Sequence, residues 1–476
     1  MNEQLHAKCA CQNCGTHIEF PLEAADLTLD CPHCRQPTLL SLDAPPVHSS
    51  KPRAPEILNA FGSGISPARV SFFYQAGLLL VAVVMLILPL LYLAMIAGAG
   101  WAVYYYAIHC KFLVTSMEVG PRLYILQVIA YVLPMFIGGL MIFFMVKPLF
   151  ARRPKKAQPL ALNPGVEPTL FAFIAKICEE VGAPMPTRIS LTCDLNASAG
   201  FRRGAMSMFG NDLELSIGLP LVAGLNMQQF AGVMAHEFGH FTQGFGMRLT
   251  YVIRRVNGWF ARVVYERDAW DVWLDDWVTE AQDWRSMIVA AFAKLAVWIS
   301  RSLLKLLMYF GHGVGCFLIR HMEYDADHYD TKMAGSAAFE ETTKRLRVLS
   351  EASSHSYQAM RAAWKIKRML PDNFPAFLTL QESKIPLERR TLIEDSVGLS
   401  RTGIFDTHPS DGDRIRQARR AGEPGIFHLT YPATLLFANF EVASKHITFL
   451  HYTDGLGLVC NQAALQPVSP LTDVAS

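Results

Sequence analysis

His236, Glu237 and His240, in the run His236-Glu237-Phe238-Gly239-His240, have the types and the spacing to hold a metal ion and to use it. Two histidines four residues apart lie one above the other on one face of a helix, so both imidazoles reach the same ion. Glu237 is then beside the ion, placed to take a proton from a water whose pKa the metal lowers from about 15.7 to about 7. Catalytic zinc takes three protein ligands and keeps a fourth position open. Glu323, in Glu323-Tyr324-Asp325-Ala326-Asp327, is the best candidate for the third. It shares a helix face with Asp327, and Ala326 permits close helix approach. Asp327 would sit behind the ligands, accepting the other ring N–H of a histidine and fixing its tautomer. Alone, the acidic cluster reads as a solvated helix face and the histidine pair as a buried helix; the three-ligand rule is what joins them.

A second metal-binding pattern stands at the N-terminus. Of ten cysteines, five lie between residues 9 and 34 and the rest are scattered singly, a distribution that suits metal binding in a reducing compartment better than a disulfide framework. Cys11 and Cys14 form one CxxC knuckle and Cys31 and Cys34 another, with sixteen residues between for a hairpin or two short strands. Four thiolates so spaced surround a structural zinc, and residues 1–42 are too few to fold without it. Cys9 could replace Cys11; a rubredoxin-like iron site or a dithiol redox role is the alternative.

The elements that must position the first site are legible around it. Asn226 with Gln229 resembles a capping box, Phe230, Val233, Met234 and Phe241 give an apolar helix face, and Gly244 and Gly246 are credible stops. Upstream, Phe171, Ile174, Cys178 and Val181 recur at helical spacing, and 188–192 and 213–217 read as short strands of a small α+β element.

HEFGH followed by ExxxD, with membrane spans before them, resembles the HtpX and CAAX prenyl endopeptidase family of integral-membrane zinc metallopeptidases. The resemblance covers roughly residues 160–420 and the preceding spans. Asn196-Ala197-Ser198-Ala199 resembles the family's NAxA segment, which implies an edge strand that pairs with substrate backbone; Ser198 stands where the family often has an aromatic residue. Thr407-His408-Pro409 with Asp413-Arg414-Ile415 resembles its HP…RI motif. The resemblance implies that His408 lies near the metal and donates to the oxyanion of the tetrahedral intermediate, with Arg414 positioning it or binding a substrate carboxylate.

Length and composition agree with a membrane enzyme. The chain has 476 residues and 51% hydrophobic residues; its net charge of +2 says nothing about nucleic acid, and no basic patch interleaved with aromatics argues for such a partner, so none is expected. No apolar core of signal-peptide length occurs in the first fifty residues, so the N-terminus is expected mature and cytoplasmic. Prolines and glycines over 43–69 predict a flexible linker. Residues 70–150 hold two uncharged stretches, each long enough to cross a bilayer. Lys51, Arg53 and Arg69 before the first span and a basic cluster at 147–156 after the second put ribbon and protease in the cytoplasm. Between the zinc motifs, five of the eight tryptophans mix with acidic residues over 259–284. An apolar stretch at 285–320 follows, crossed by a basic stripe of Lys294, Arg301 and Lys305. A membrane hairpin or one tilted span, with a weak point at Gly311-His312-Gly313-Val314-Gly315, is expected; because Glu323 must return to the side of His236, a hairpin or no crossing is favoured.

The expected molecule is therefore a mainly α membrane protein: a helical gluzincin-type metallopeptidase domain with a small β-sheet over 160–425, the 285–320 insertion, a C-terminal extension over 426–476 and an N-terminal β zinc ribbon. It binds one catalytic and one structural Zn2+, cleaves membrane or membrane-associated proteins, and serves quality control, facing the cytoplasm from a bacterial inner membrane. The bacterial branch is preferred to prenylated-peptide processing because the two-span start fits it better. A non-catalytic membrane scaffold, with the ribbon binding a partner, is the competing class, and a transporter ranks last for want of an inverted repeat.

Overall fold

The structure, a computed structural model, describes residues 6–11, 17–21, 24, 27–32, 34–40, 52–62, 64–66, 72–115, 120–150, 160–202, 212–242, 245–266, 272–273, 275–277, 283–403 and 406–468. Cys14, Trp270 and the basic residues at 152–156 lie outside them. Two antiparallel hairpins open the chain, β1 (His6–Ala10) with β2 (His17–Pro21) and β3 (Thr28–Asp30) with β4 (Pro37–Leu39).

Helix α1 (Ala54–Asn59) follows and corrects the expectation of a flexible linker for its part of 43–69. Ile57 is buried in the main core, the Phe61 ring packs on Phe173 and Phe427, and the Gly62 N–H donates to the Ile426 carbonyl at 2.7 Å. Proline and glycine suit a loop, but apolar residues four apart gave this one something to bury.

The membrane part begins with α2 (Phe72–His109), the single turn α3 (Phe112–Thr115) and α4 (Pro121–Val146). Pro89 and Pro134 lie inside α2 and α4, as membrane helices allow. Beyond them a four-stranded sheet forms from β5 (Leu160–Ala161), β6 (Arg188–Thr192), β7 (Ala197–Phe201) and β8 (Leu213–Gly218), in the order β5-β6-β8-β7. Only the β6/β8 pair is parallel, and β7 is an edge. Helix α5 (Pro168–Val181), the short α6 (Leu219–Gly224) and α7 (Met227–Thr242) bury Ile174, Ile177, Val222 and Phe230 with Leu215 and Ile217 of the sheet.

Helix α8 (Phe245–Tyr265) then leaves the site, and α9 (Trp284–Ala334) returns to it as one unbroken helix of 51 residues. Three helical stretches among the described residues are long and apolar enough to cross a membrane: Tyr74–Thr115, Pro121–Phe150 and Met287–Ala334. The hairpin expected inside 285–320 is thus replaced by the single helix α9. Gly246 stops nothing; it lies in the first turn of α8. Nor do the glycines of 311–315 break α9. A Cβ at Gly311 would stand 2.7 Å from Leu88 Cδ1 and 2.9 Å from Met85 Sδ, so this glycine admits α2. Two members of the basic stripe find partners on the connection between α8 and α9: Lys294 pairs with Asp275 at 3.3 Å, and Arg301 donates to the Glu266 carbonyl at 3.3 Å. Inside the bundle the Tyr92 hydroxyl donates to the Met145 carbonyl at 2.8 Å and lies 3.0 Å from Ser300 Oγ, tying α2, α4 and α9 through satisfied polar groups.

The domain is completed by α10 (Ser336–Lys367), α11 (Phe374–Ser383), α12 (Leu387–Leu399), α13 (Asp411–Ala421) and α14 (Phe440–Leu450). Phe427, Phe437 and Tyr452 of the C-terminal extension are buried in the main core, so it is part of the domain rather than an appendage.

Candidate active site

Helix α7 starts where its side chains cap it: Asn226 Oδ1 accepts from the Gln229 N–H at 2.8 Å, and Gln229 Oε1 accepts from the Asn226 N–H at 3.2 Å. Its buried face then fixes its rotation against the sheet, and two glycines let α9 cross it closely. A Cβ at Gly232 would stand 2.2 Å from Asp330 Oδ1, and one at Gly239 would stand 2.8 Å from Tyr329 Cδ2. Thr242 Oγ1 donates to the Tyr329 hydroxyl at 2.9 Å and fastens the same seam.

That crossing brings together residues 87 positions apart in sequence. Donor atoms of His236, His240 and Glu323 lie within 4.8 Å of one another, with His236 Nε2 3.6 Å from Glu323 Oε2. Tetrahedral zinc with ligands at about 2.1 Å spaces its donors by about 3.4 Å, so the set fits that ion. The rings of His236 and His240 meet edge to face at 5.0 Å, and His240 Nδ1 is buried with no hydrogen-bond partner among the described residues.

Around these three, Asp327 and Glu323 are both engaged. Asp327 Oδ1 lies 3.0 Å from His236 Nδ1, an ion-pair distance at an angle short of good hydrogen-bond geometry. Arg414 grips Asp327 with both prongs, Nε at 2.8 Å and Nη2 at 2.5 Å. Arg414 was expected to meet substrate or His408; its guanidinium is instead turned to Asp327, because a buried carboxylate needs a charge partner. Glu323 Oε1 accepts from Arg254 Nη2 at 2.8 Å and lies 3.3 Å from His408 Nδ1. Arg254, on α8, is the site residue that the sequence did not reveal. The His408 side chain is 65% exposed, which leaves it reachable from outside. Its loop is pinned by Asp413, whose Oδ2 accepts from Thr402 Oγ1 at 2.6 Å and from the Thr402 N–H at 2.9 Å.

Glu237 faces the edge strand, where its Oε2 accepts from the Ala199 N–H at 3.3 Å. Burial raises the Glu237 carboxyl above the ordinary range, against the pull of His236 and of that N–H. Burial alone would lower the pKa of His236, but Asp327 and then Glu323 outweigh it and carry it up to about 10. His240 has no such carboxylate on it, and burial followed by the charge of His236 lowers it to about 3.

The model of peptidase family M48 matches residues 169–421. The chain belongs to that family. M48 peptidases are zinc-dependent hydrolases of peptide bonds, and the chain is a membrane metallopeptidase of the HtpX-like kind. It is 25% identical over 275 residues to a protease HtpX of Acinetobacter baylyi, covering 56% of this chain and 76% of the relative. To a protease HtpX of Stutzerimonas stutzeri it is 25% identical over 264 residues, covering 54% and 73%. No solved structure matches the chain.

The N-terminal cysteines of this M48 peptidase form a second cluster. Cys11, Cys31 and Cys34 offer sulfurs within 4.8 Å of one another, Cys11 Sγ and Cys34 Sγ being 3.5 Å apart. Cys9 lies apart from them, packed with Phe20 and Leu40.

Proposed function

We propose that this M48 peptidase is a membrane-anchored zinc endopeptidase whose ion is held by His236, His240 and Glu323. The observation that carries the reading is the meeting of those three donors beside a half-buried Glu237 that is itself bonded to the edge strand. When bound, zinc supplies a Lewis acid for the scissile carbonyl and acidifies the attacking water. Glu237 takes the proton from that water and later delivers it to the leaving amine. Asp327 keeps His236 in the tautomer that presents Nε2, and Arg414 keeps Asp327 ionised. His408, anchored through Nδ1 on Glu323, offers its other ring nitrogen to the oxyanion. Asn196 to Ala199 align the peptide by backbone pairing. The four-cysteine ribbon, with Cys14 as fourth ligand, holds a structural zinc. Its Arg35 donates to the Ser383 carbonyl at 3.0 Å, which favours a ribbon seated on the domain.

The substrates on this reading are unfolded or misfolded membrane proteins, and the site faces the cytoplasm of a bacterial inner membrane. A shared side for the residues before the first span and the domain after the second is supported by Phe61, which packs on Phe173 and Phe427. The test is cleavage of an unfolded membrane protein by the purified zinc-loaded chain beside Glu237→Gln. Fragments from the wild type alone are expected, with a loss of at least about a hundredfold in the variant, the range over which general bases act. Equal fragmentation by both, or none by a wild type that retains zinc at the second site, ends the reading.

A further inference from the structure

The small sheet has two faces, and the metal site uses one. Backbone pairing settles which residues look where. The Gly218 N–H donates to the Asn196 carbonyl at 2.9 Å and the Arg202 N–H to the Asp212 carbonyl at 3.1 Å. In the antiparallel pair of β7 and β8 the even-numbered residues of β7 are therefore the hydrogen-bonded ones, and Ala197, Ala199 and Phe201 turn their N–H and C=O groups to the open edge. The bond from Ala199 to Glu237 is made on that edge. Side chains alternate as well. Phe201 packs edge-on against Phe241 and Tyr251, on the side of α7 and α8, so Ser198 and Gly200 face the other way.

On that other face lies a cavity of about 790 Å³. Its floor is the outer side of the sheet, where Ser198 is level with Ser216 and Gly200 with Glu214. Its far wall is the C-terminal extension, through Ile447, Leu450, His451 and Gly455. Most charges on the floor are already matched. Glu214 accepts from buried Ser190 at 3.0 Å and pairs with Arg188 at 3.3 Å, and Arg202 pairs with Asp212 at 2.9 Å. His451 lies 3.0 Å from the Tyr357 hydroxyl, and burial lowers its pKa, so it is neutral at pH 7. Asp194 at the rim has no partner among the described residues, which leaves one uncompensated negative charge.

A peptide added to the open edge of β7 sends alternate side chains to the two faces of the sheet. Those level with Ser198 and Gly200 enter the cavity, and there is room for them: a Cβ at Gly200 would meet nothing within 4 Å. We propose that this cavity is a side-chain subsite of the peptidase, that it takes lysine or arginine from the substrate residue level with Gly200, and that the C-terminal extension builds half of it. A polar floor and a net negative rim suit a long side chain with an apolar stem and a cationic head. The inference rests on substrate pairing along β7.

The experiment sequences the products that the full-length, zinc-loaded chain makes from a library of unstructured peptides, beside the variants Asp194→Lys and Leu450→Trp. The wild type is expected to enrich basic residues at one fixed position from the cleaved bond. Asp194→Lys should remove that enrichment and lower kcat/KM at least tenfold for a lysine peptide relative to its alanine counterpart. Zinc content and cleavage of the alanine peptide should be unchanged. Leu450→Trp narrows the same space from the far wall and should select against long side chains at the same position. It carries the test if Asp194→Lys fails to retain zinc. A wild-type profile without a basic preference, or a preference that the variants leave intact, overturns the subsite and leaves the endopeptidase standing. A zinc-loaded wild type that cleaves no peptide overturns both.

Discussion

His236 and His240 sit on one helix face five ångströms apart between ring centres, yet they hold protons very differently. His236 has Asp327 and Glu323 against it and keeps its proton up to about pH 10; His240 has burial against it and loses its own near pH 3. A ligating imidazole must be neutral at the donor nitrogen, so metal uptake has to expel the His236 proton. The sign follows. As pH rises toward 10 that competing proton is lost, so zinc affinity should increase with pH, by up to about tenfold per unit below the His236 pKa. Calorimetric zinc titration in two buffers of different ionisation enthalpy should show about one proton released per ion at pH 7; no release would mean that His236 is not a ligand as placed. At this scale the histidines, Glu237, Glu323 and Asp327 were legible, because spacing on a helix puts them on common faces. Arg254 was not. It is one of four arginines on α8, and its contact with Glu323, 69 residues away, depends on how two helices cross.

Helices α7 and α9 meet along a seam that glycine makes possible. Alanine favours helix over glycine by about 1 kcal/mol, so Gly232→Ala would stabilise an isolated α7. In the seam its methyl group would fall 2.2 Å from Asp330 Oδ1 and 2.9 Å from Ala334 Cβ. The overpacking should prevail, lowering stability by about 1–3 kcal/mol and weakening zinc with it. Thermal unfolding with and without zinc reads both, and a higher Tm would show the seam to be looser than described. Elements of regular pattern were legible from the sequence: the capping box of α7 and the apolar runs of α2 and α4. One was misread for a definite reason. Gly311 looked like a break because glycine marks both helix ends and close packing. Only the partner, here Met85 and Leu88, tells those two uses apart.

Across the whole molecule, the chain is held to one arrangement by contacts between distant segments. Phe61, ahead of the first span, is wedged between Phe173 of α5 and Phe427 after α13. Phe61→Ala should cost less than the about 3–5 kcal/mol of losing a fully buried aromatic, because the ring is half-buried, while leaving the membrane helices helical. Protease nicking within 43–69 of the detergent-solubilised protein would report it: faster cutting in the variant is expected, and no change would show that the strap is not held by this ring. Composition foretold the membrane class, but not that strap, since its apolar residues are few and their partners lie far along the chain.

One helix runs from the bilayer to the metal site without a joint. At 1.5 Å per residue α9 is about 76 Å long, against a hydrocarbon core of about 30 Å, and it carries Glu323 and Asp327 near its far end. Such a rod is a lever. With an arm on the order of 50 Å, each degree of tilt shifts Glu323 by about 1 Å unless α7 swings with it. Helices tilt to match bilayer thickness. Lipid thickness is thereby an input to ligand geometry, and turnover in bilayers of graded acyl-chain length should pass through an optimum, whereas the same series should leave it flat if the seam with α7 yields.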